Sequence, residues 1–159
     1  MDLSATDWSV GSSIKDTGFN SRDFSIWQDS GEADIQFNDN GDGVSILTIS
    51  GTEAGQISQT MTGLTPGQKY RAIIWAGSEN GKTARITVKD GDKVYSNYVD
   101  QTVRANNCFD TYARNMRVDR LWVDFTATET TAEIVLSADA CENATGKATF
   151  MQSLSLIHI

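Results

Sequence analysis

The hydrophobic residues of this chain recur with a period of two over most of its length. In residues 70–76, 83–89, 120–125 and 132–136 one set of alternate positions is consistently apolar or aromatic, and the other set holds the polar residues. Such alternation is typical of strands that place one face on a core and the other on water. No stretch of about eleven or more residues sustains the spacing of an amphipathic helix. The pattern therefore predicts an all-β protein.

Turn residues separate the alternating segments. Asn80-Gly81 and Asp90-Gly91 supply the positive backbone φ angles that tight hairpins require. We predict nine strands, near residues 33–37, 44–50, 56–62, 69–76, 83–89, 93–99, 117–125, 131–137 and 148–157. Short strands at this spacing indicate an antiparallel sandwich or barrel. Residues 100–116 form the one long irregular connection, and long loops on a sandwich often carry function.

Charge and length exclude two classes of partner. The 159 residues carry a formal net charge of −8, and the 13 basic residues do not cluster, so we expect no nucleic-acid partner. The longest apolar run, residues 72–76, is far shorter than the ~20 residues of a membrane span. The first residues lack the pattern of a signal peptide. We therefore expect either a cytosolic protein or a piece of a larger exported one.

Two parts of the chain resemble a known family. Residues 59–70 (QTMTGLTPGQKY) and 72–75 look like a strand–turn–strand unit of carbohydrate-binding modules with the galactose-binding-domain-like jelly roll. Residues 94–100 (VYSNYVD), with 106–107, 110–112 and 116–125, resemble the corresponding module of bacterial endo-α-N-acetylgalactosaminidases, glycoside hydrolase family 101. The resemblance implies an antiparallel jelly-roll β-sandwich, with residues 1–159 forming a single module excised from a larger multidomain enzyme.

The same resemblance implies a function. We expect a non-catalytic carbohydrate-binding module of a secreted or cell-surface bacterial enzyme that acts on mucin-type O-glycans, with its signal peptide outside this sequence. Its partners would be glycans of the galactose or N-acetylgalactosamine type and the neighbouring domains of the parent enzyme. Two alternatives stay open, namely a purely structural bracing domain of that enzyme and a cell-surface adhesin or interaction domain.

Alternation along the predicted strands selects the candidate sugar-binding residues. Leu121 and Val123 belong to the core face, so the residues between and beside them point outward. An aromatic ring flanked by a cation and an acid suits a sugar, which offers a C–H face and hydroxyl groups. The alternative is that a neighbouring loop or domain covers these rings. The candidates are Trp122, Arg120, Asp124, Trp75, Arg71, Tyr95, Tyr98, Tyr112 and Arg114.

The residue types of catalysis are scarce. His158 is the single histidine, and no serine or cysteine nucleophile pairs with a base in the sequence. Asp124 and Glu133 could approach each other on neighbouring strands, but a polar surface explains them better than a glycosidase carboxylate pair. We expect no enzymatic activity from this chain alone.

Calcium is the one cofactor worth considering. Asp16 and Asp23 could contribute oxygen ligands near the first strand, although a solvated loop explains them better. Modules of the resembling type commonly follow an aromatic residue of the last strand with an acid that helps hold a structural calcium. Here residues 150–153 read FMQS, without a carboxylate. No cofactor is therefore certain, and a structural calcium is an open expectation.

The two cysteines allow a disulfide. If residues 117–125 and 131–137 form a hairpin, the loops that hold Cys108 and Cys141 emerge at the same end of the sandwich. A bridge is then geometrically possible if the two Cα atoms come within ~7 Å. The alternative is two unpaired thiols.

Overall fold

Two antiparallel sheets pack face to face, as the alternating sequence pattern predicts. The computed structural model describes residues 13–39, 45–100, 107–108 and 117–159. The strands within these ranges are β1 (Gln28–Gly31), β2 (Asp34–Asp39), β3 (Ser45–Ser50), β4 (Gly55–Met61), β5 (Lys69–Glu79), β6 (Ala84–Asp90), β7 (Lys93–Val99), β8 (Asn107–Cys108), β9 (Arg117–Thr126), β10 (Ala132–Ala138) and β11 (Lys147–His158). No helix long and apolar enough to cross a membrane occurs in the described part of the chain.

The strands form a six-stranded and a five-stranded sheet. Sheet A has the order β2-β3-β11-β5-β9-β8, and sheet B has the order β1-β4-β10-β6-β7. All nine predicted strands are confirmed, with ends within three residues of the prediction, and the structure adds β1 and β8. The antiparallel sandwich is confirmed. The assignment of residues 1–159 to a single module stays a prediction.

The core lies between the inner faces of the two sheets. Every second residue of β5 points inward, and Tyr70, Ala72 and Ile74 are each no more than 1% exposed. The largest fully buried side chains are Trp27, Tyr70, Phe19, Lys82, Phe150, Leu47, Ile49, Ile57, Met61, Ile74, Ile86 and Leu121. Burying a large apolar side chain contributes roughly 1.5–3 kcal/mol, so this layer dominates the stability of the fold. The polar positions of the same strands are left on the two outer faces.

Hairpin turns set the register of sheet B. Asp90 pairs with Lys93, which leaves Gly91 and Asp92 as a two-residue turn between β6 and β7. Gly91 has a φ of 59°, a value that favours glycine because no Cβ clashes there. This register places alternate residues of β7 on the outer and inner faces of sheet B, and both faces matter below.

One predicted strand pairing is wrong. Residues 117–125 and 131–137 do not form a hairpin, because β9 pairs with β5 and β8 in sheet A while β10 pairs with β4 and β6 in sheet B. The connection between β9 and β10 therefore crosses from one sheet to the other. Alternation alone predicts which residues point inward, but it does not say which sheet each strand joins.

The predicted disulfide depends on that pairing and does not form. Cys141 is a free thiol, and its Sγ lies 3.3 Å from the carbonyl oxygens of both Gly51 and Asn143. Gly51 directly follows β3, whereas Cys108 lies on β8, four strand spacings away across sheet A. At ~4.8 Å per strand the separation is about 19 Å, well beyond the ~7 Å that a disulfide spans.

Candidate functional site

The pairing of β5 with β9 assembles five of the predicted site residues into one surface. In this register Arg71 lies opposite Asp124, Ile73 opposite Trp122 and Trp75 opposite Arg120. All of these positions alternate with core residues, so they share the outer face of sheet A. We call this surface the sheet A patch; its residues are Arg71, Ile73, Trp75, Arg120, Trp122 and Asp124. Sequence reasoning placed the two strands' outward rows separately, and the structure makes them neighbours.

An arginine–aspartate pair closes one end of the patch. Arg71 Nε donates to Asp124 Oδ1 at 2.7 Å, and Arg71 Nη2 donates to Asp124 Oδ2 at 3.0 Å. These hydrogen bonds raise the pKa of Arg71 above its ordinary value, although partial burial opposes the shift. The side chains are 32% and 45% exposed, so the pair contributes under about 1 kcal/mol to stability. Its main consequence is to fix the guanidinium in place.

Two guanidiniums lie over the central indole of the patch. Arg71 Cζ is 4.8 Å from the ring centroid of Trp122, and Arg120 Cζ is 5.7 Å from it. Arg71 lies opposite Asp124, which is two residues beyond Trp122 on β9. Arg120 lies two residues before Trp122 on the same strand, so the two guanidiniums reach the ring from opposite sides. A cation over an indole is attracted by the negative face of the ring. The half-buried Trp122 therefore offers a ligand its ring together with cationic donors at two sides.

A shallow groove runs beside Trp122 between β7, the edge strand of sheet B, and β9 of sheet A. Residues from β7 and β9 line a volume of about 330 Å³: Tyr95, Ser96, Asn97, Trp122, Val123 and Asp124. Asn97 Nδ2 donates to the backbone carbonyl of Trp122 at 3.0 Å, which ties β7 of sheet B to β9 of sheet A. Tyr95 packs partly into the core, with its ring 6.1 Å from that of Phe125. Tyr95 is one of the candidate sugar-binding residues predicted from the sequence, and the structure places it beside Trp122 in this groove.

Sequence reasoning missed Ser96 and Asn97. Asn97 lies two residues from Tyr95, so the alternation of β7 could have grouped the two. Their proximity to Trp122 comes from the contact between strands of different sheets, and the sequence pattern does not predict which strands of different sheets touch.

The remaining candidates lie elsewhere. Tyr98 points outward from sheet B, where Arg85 Cζ lies 4.9 Å from its ring centroid, so it is not part of the sheet A patch. Tyr112 and Arg114 lie outside the described residues. Any role of these three residues in binding stays a prediction. Trp27 is fully buried, and its Nε1 donates to the carbonyl of Asp16 at 3.1 Å.

The two calcium candidates stabilise local turns. Asp16 accepts hydrogen bonds from the backbone N and the Oγ of Ser21. Asp23 accepts one from the backbone N of Ser25 at 2.7 Å, and this bonding lowers the pKa of Asp23. Within the described ranges no group of three histidine, cysteine or acidic residues could hold a metal. A structural calcium therefore stays a prediction without a ligand set.

The one carboxylate pair considered for catalysis is far apart. Asp124 lies on sheet A and pairs with Arg71, whereas Glu133 lies on sheet B with Lys89 Nζ at 3.6 Å. A glycosidase needs both carboxyl groups within ~5–9.5 Å on either side of one bond. The two residues belong to different outer faces, so they do not form such a pair.

Comparisons with known proteins point to one family and one fold. A family model described as "Endo-alpha-N-acetylgalactosaminidase, domain 5" matches residues 14–148. The structure of the carbohydrate-binding module TmCBM61, in complex with β-1,4-galactotriose, is similar at a TM-score of 0.70 and 18% identity, covering 93% of this chain and 99% of that one. A non-crystalline cellulose specific module, CBM28, is similar at a TM-score of 0.55 and 12% identity, covering 92% and 95%. At these identities the likeness shows the fold, a β-sandwich shared with carbohydrate-binding modules.

Proposed function

Because this chain belongs to the family of domain 5 of endo-alpha-N-acetylgalactosaminidases, we propose that it is a non-catalytic module that binds glycans through the sheet A patch. Its ligands are galactose- or N-acetylgalactosamine-containing glycans of the mucin type. The parent protein is a glycoside hydrolase that acts outside the bacterial cell or on its surface, and the module holds that enzyme on its substrate.

The observation that carries the proposal is the composition of the patch and its groove. Trp75 and Trp122 lie half-buried on one face, within one strand spacing of each other. Guanidinium, carboxylate, amide and hydroxyl groups surround Trp122 within the groove and on the adjoining strand. Aromatic surface packs against the C–H face of a sugar, and charged groups make the stronger hydrogen bonds to its hydroxyls.

One of the similar solved structures and the family name support the choice of ligand class, whereas the similar CBM28 is specific for cellulose. TmCBM61 shares the fold over nearly its whole length and was solved with a galactose oligosaccharide. The family to which this chain belongs is named for an enzyme that acts on N-acetylgalactosamine. Both point to galactose-type sugars in preference to glucose-type ones.

The test is direct binding by the isolated chain. We expect titration with galactosyl-β1,3-N-acetylgalactosamine to change tryptophan fluorescence with a Kd of about a millimolar or tighter, a free energy of roughly −4 kcal/mol or more. Cellobiose is the matched control, because it is also a disaccharide and has no galactose configuration. A glycan array that carries neutral and acidic mucin-type glycans extends the search beyond one disaccharide.

Absence of binding to the disaccharide and to every mucin-type glycan on the array would overturn the proposal. The domain would then be a structural brace that packs the two tryptophans against a neighbouring domain of the parent enzyme. Equal binding of cellobiose and the galactose disaccharide would keep the binding function but overturn the ligand class.

A further inference from the structure

Three arginines of the described chain lie over aromatic rings, and two of them also bind an aspartate. Arg71 lies over Trp122 and binds Asp124 through Nε and Nη2. Arg85 lies over Tyr98 on the opposite sheet and binds Asp139, with Nη2 at 2.8 Å from Oδ2. In both cases the guanidinium lies over the ring and its N–H groups donate to a carboxylate. This division suits a guanidinium, which stacks through its face and donates in its plane.

The third stacked arginine has the ring but not the carboxylate. Arg120 Cζ lies 5.7 Å from the ring centroid of Trp122, and no acidic side chain of the described residues lies within 4 Å of its nitrogens. Arg120 is half-buried and sits beside Trp75, opposite it on β5. Arg120 therefore lies next to both tryptophans of the proposed sugar site.

The local charge favours an anion at this position. The chain as a whole carries a net charge of −8. Against that background the sheet A patch holds two guanidiniums and a single carboxylate, and Asp124 already binds Arg71. The patch is therefore a positive site on an acidic protein, and a neutral sugar would leave the strongest donor of the site without a charged acceptor.

We infer that the glycan bound by the sheet A patch carries an acidic group, and that Arg120 binds this group through its N–H edge while its face stays over Trp122. This inference rests on the proposed function and names the ligand class more closely. A sugar carboxylate and a sugar sulfate ester present the same chemistry to a guanidinium, because both offer two or more oxygens in reach of its paired donors. The experiment separates these two sources.

The experiment compares three ligands that share one core. These are galactosyl-β1,3-N-acetylgalactosamine, the same disaccharide with a sialic acid on galactose, and the same disaccharide with a 3-O-sulfate on galactose. We expect the acidic ligand that fits the site to bind about tenfold more tightly than the neutral one, since a charge-assisted pair is stronger than a neutral hydrogen bond. A preference for the sialylated form identifies a carboxylate, and a preference for the sulfated form identifies a sulfate.

Two variants with the same charge change test the assignment to Arg120. Arg120→Gln should reduce the preference for the acidic ligand over the neutral one to about twofold or less, because a glutamine amide makes no charge-assisted pair with the anion. Arg85→Gln is the matched control, because it also removes a ring-stacked arginine but from sheet B, and it should keep the full preference. Arg120→Lys keeps the charge but loses the paired donors, so an intermediate preference is expected.

Ionic strength gives an independent reading. Raising the salt concentration from about 50 mM to about 500 mM should weaken binding of the acidic ligand to the unaltered chain. The affinity of Arg120→Gln for the same ligand should stay nearly unchanged. Equal affinity for neutral and acidic ligands would overturn the inference and leave the proposed function standing. An acidic preference that survives Arg120→Gln, or that Arg85→Gln removes equally, would overturn the role of Arg120. Absence of binding to all three ligands and to the array would overturn both proposals.

Discussion

The two outer faces of this sandwich carry nearly the same motif. On sheet A, Arg71 binds Asp124 at 2.7 Å and lies 4.8 Å from the ring centroid of Trp122. On sheet B, Arg85 binds Asp139 at 2.8 Å and lies 4.9 Å from that of Tyr98. The side-chain exposures of the two ion pairs agree within one percentage point, at 32% and 45% against 31% and 46%. An arginine between an acid and a ring is therefore not by itself evidence of a binding site.

What differs is the surroundings of the motif. Sheet A adds a second tryptophan, a second stacked arginine and the groove beside β7, whereas the corresponding addition on sheet B is a weak contact, 3.4 Å, from Arg85 to Ser96 Oγ. The motif fixes its arginine on both faces. A groove of about 340 Å³ on sheet B, lined in part by Ser58, Thr60 and Glu133, holds no aromatic side chain among the described residues, whereas the extra groups on sheet A add aromatic and cationic contacts for a ligand. The comparison teaches that the candidate site is a property of the cluster, and each prediction below changes one face and uses the other as its control.

The largest difference should come from the buried apolar residue on each outer face. Ile73 is 8% exposed and lies opposite Trp122, and Val135 on sheet B is 3% exposed between Ser58 and Thr87. We expect Ile73→Ala to lower the free energy of unfolding by about 2–4 kcal/mol and Val135→Ala by about 2 kcal/mol, because each deletes buried methyl or methylene groups. Urea unfolding followed by circular dichroism measures both.

The same pair of variants separates stability from binding. Ile73→Ala should also weaken glycan binding, because Trp122 loses the neighbour that supports it, whereas Val135→Ala should leave the affinity unchanged once the fraction folded is accounted for. If both variants reduced affinity alike, binding would depend on general stability, and the distinction between the two faces would fail.

The next effect in size concerns the two rings. Trp122→Ala should weaken glycan binding by at least about tenfold, since loss of a buried aromatic contact typically costs more than 1 kcal/mol. Tyr98→Ala should leave the affinity within about twofold, because its ring lies on sheet B beside Arg85. Isothermal titration with the best glycan from the array measures both variants. A loss of glycan affinity in Tyr98→Ala without a loss in Trp122→Ala would show that the binding site lies on sheet B.

Most of the fold was predictable from residue alternation, and the reason is physical. A strand of a sandwich must bury every second residue, so 70–76 and 120–125 reveal both their type and their inward face. The outward direction of Arg71, Trp75, Arg120, Trp122 and Asp124 follows from the same rule. Five of the predicted site residues are therefore correctly placed on a surface without any structure.

The order of the strands was not predictable in the same way. Which strands become neighbours depends on contacts between residues far apart in the chain, and no local pattern encodes them. For this reason β9 was wrongly paired with β10, and the disulfide derived from that pairing is also wrong. The adjacency of Arg71 to Asp124 and of Asn97 to Trp122 required the structure for the same reason.

Lys82 shows a further limit of sequence reasoning. A lysine that follows the turn residues Asn80-Gly81 is expected to be exposed, yet the side chain of Lys82 is fully buried. Its Nζ donates to the carbonyl oxygens of Gly51 at 2.8 Å and of Glu53 at 2.5 Å, which compensates the loss of water around the charge. The partners come from a different loop, so the signal for burial lies about 30 residues away in the chain.

The smallest difference should lie in the two ion pairs themselves. Double-mutant cycles with Arg71→Met and Asp124→Asn, and with Arg85→Met and Asp139→Asn, should each give a coupling energy of about 0.2–1 kcal/mol, because all four side chains are partly exposed. Arg71–Asp124 should lie at the upper end, since both of its hydrogen bonds, at 2.7 and 3.0 Å, are short, whereas one of those between Arg85 and Asp139 is 3.4 Å. Urea unfolding at low and high salt measures the couplings, and both should shrink as salt screens the charges. A coupling above about 2 kcal/mol on sheet A alone would mean that Trp122 and its neighbours shield this pair from water far more than its exposure indicates. The likeness of the two motifs would then be geometric and not energetic, and Arg71 would count with Arg120 among the groups that make sheet A different.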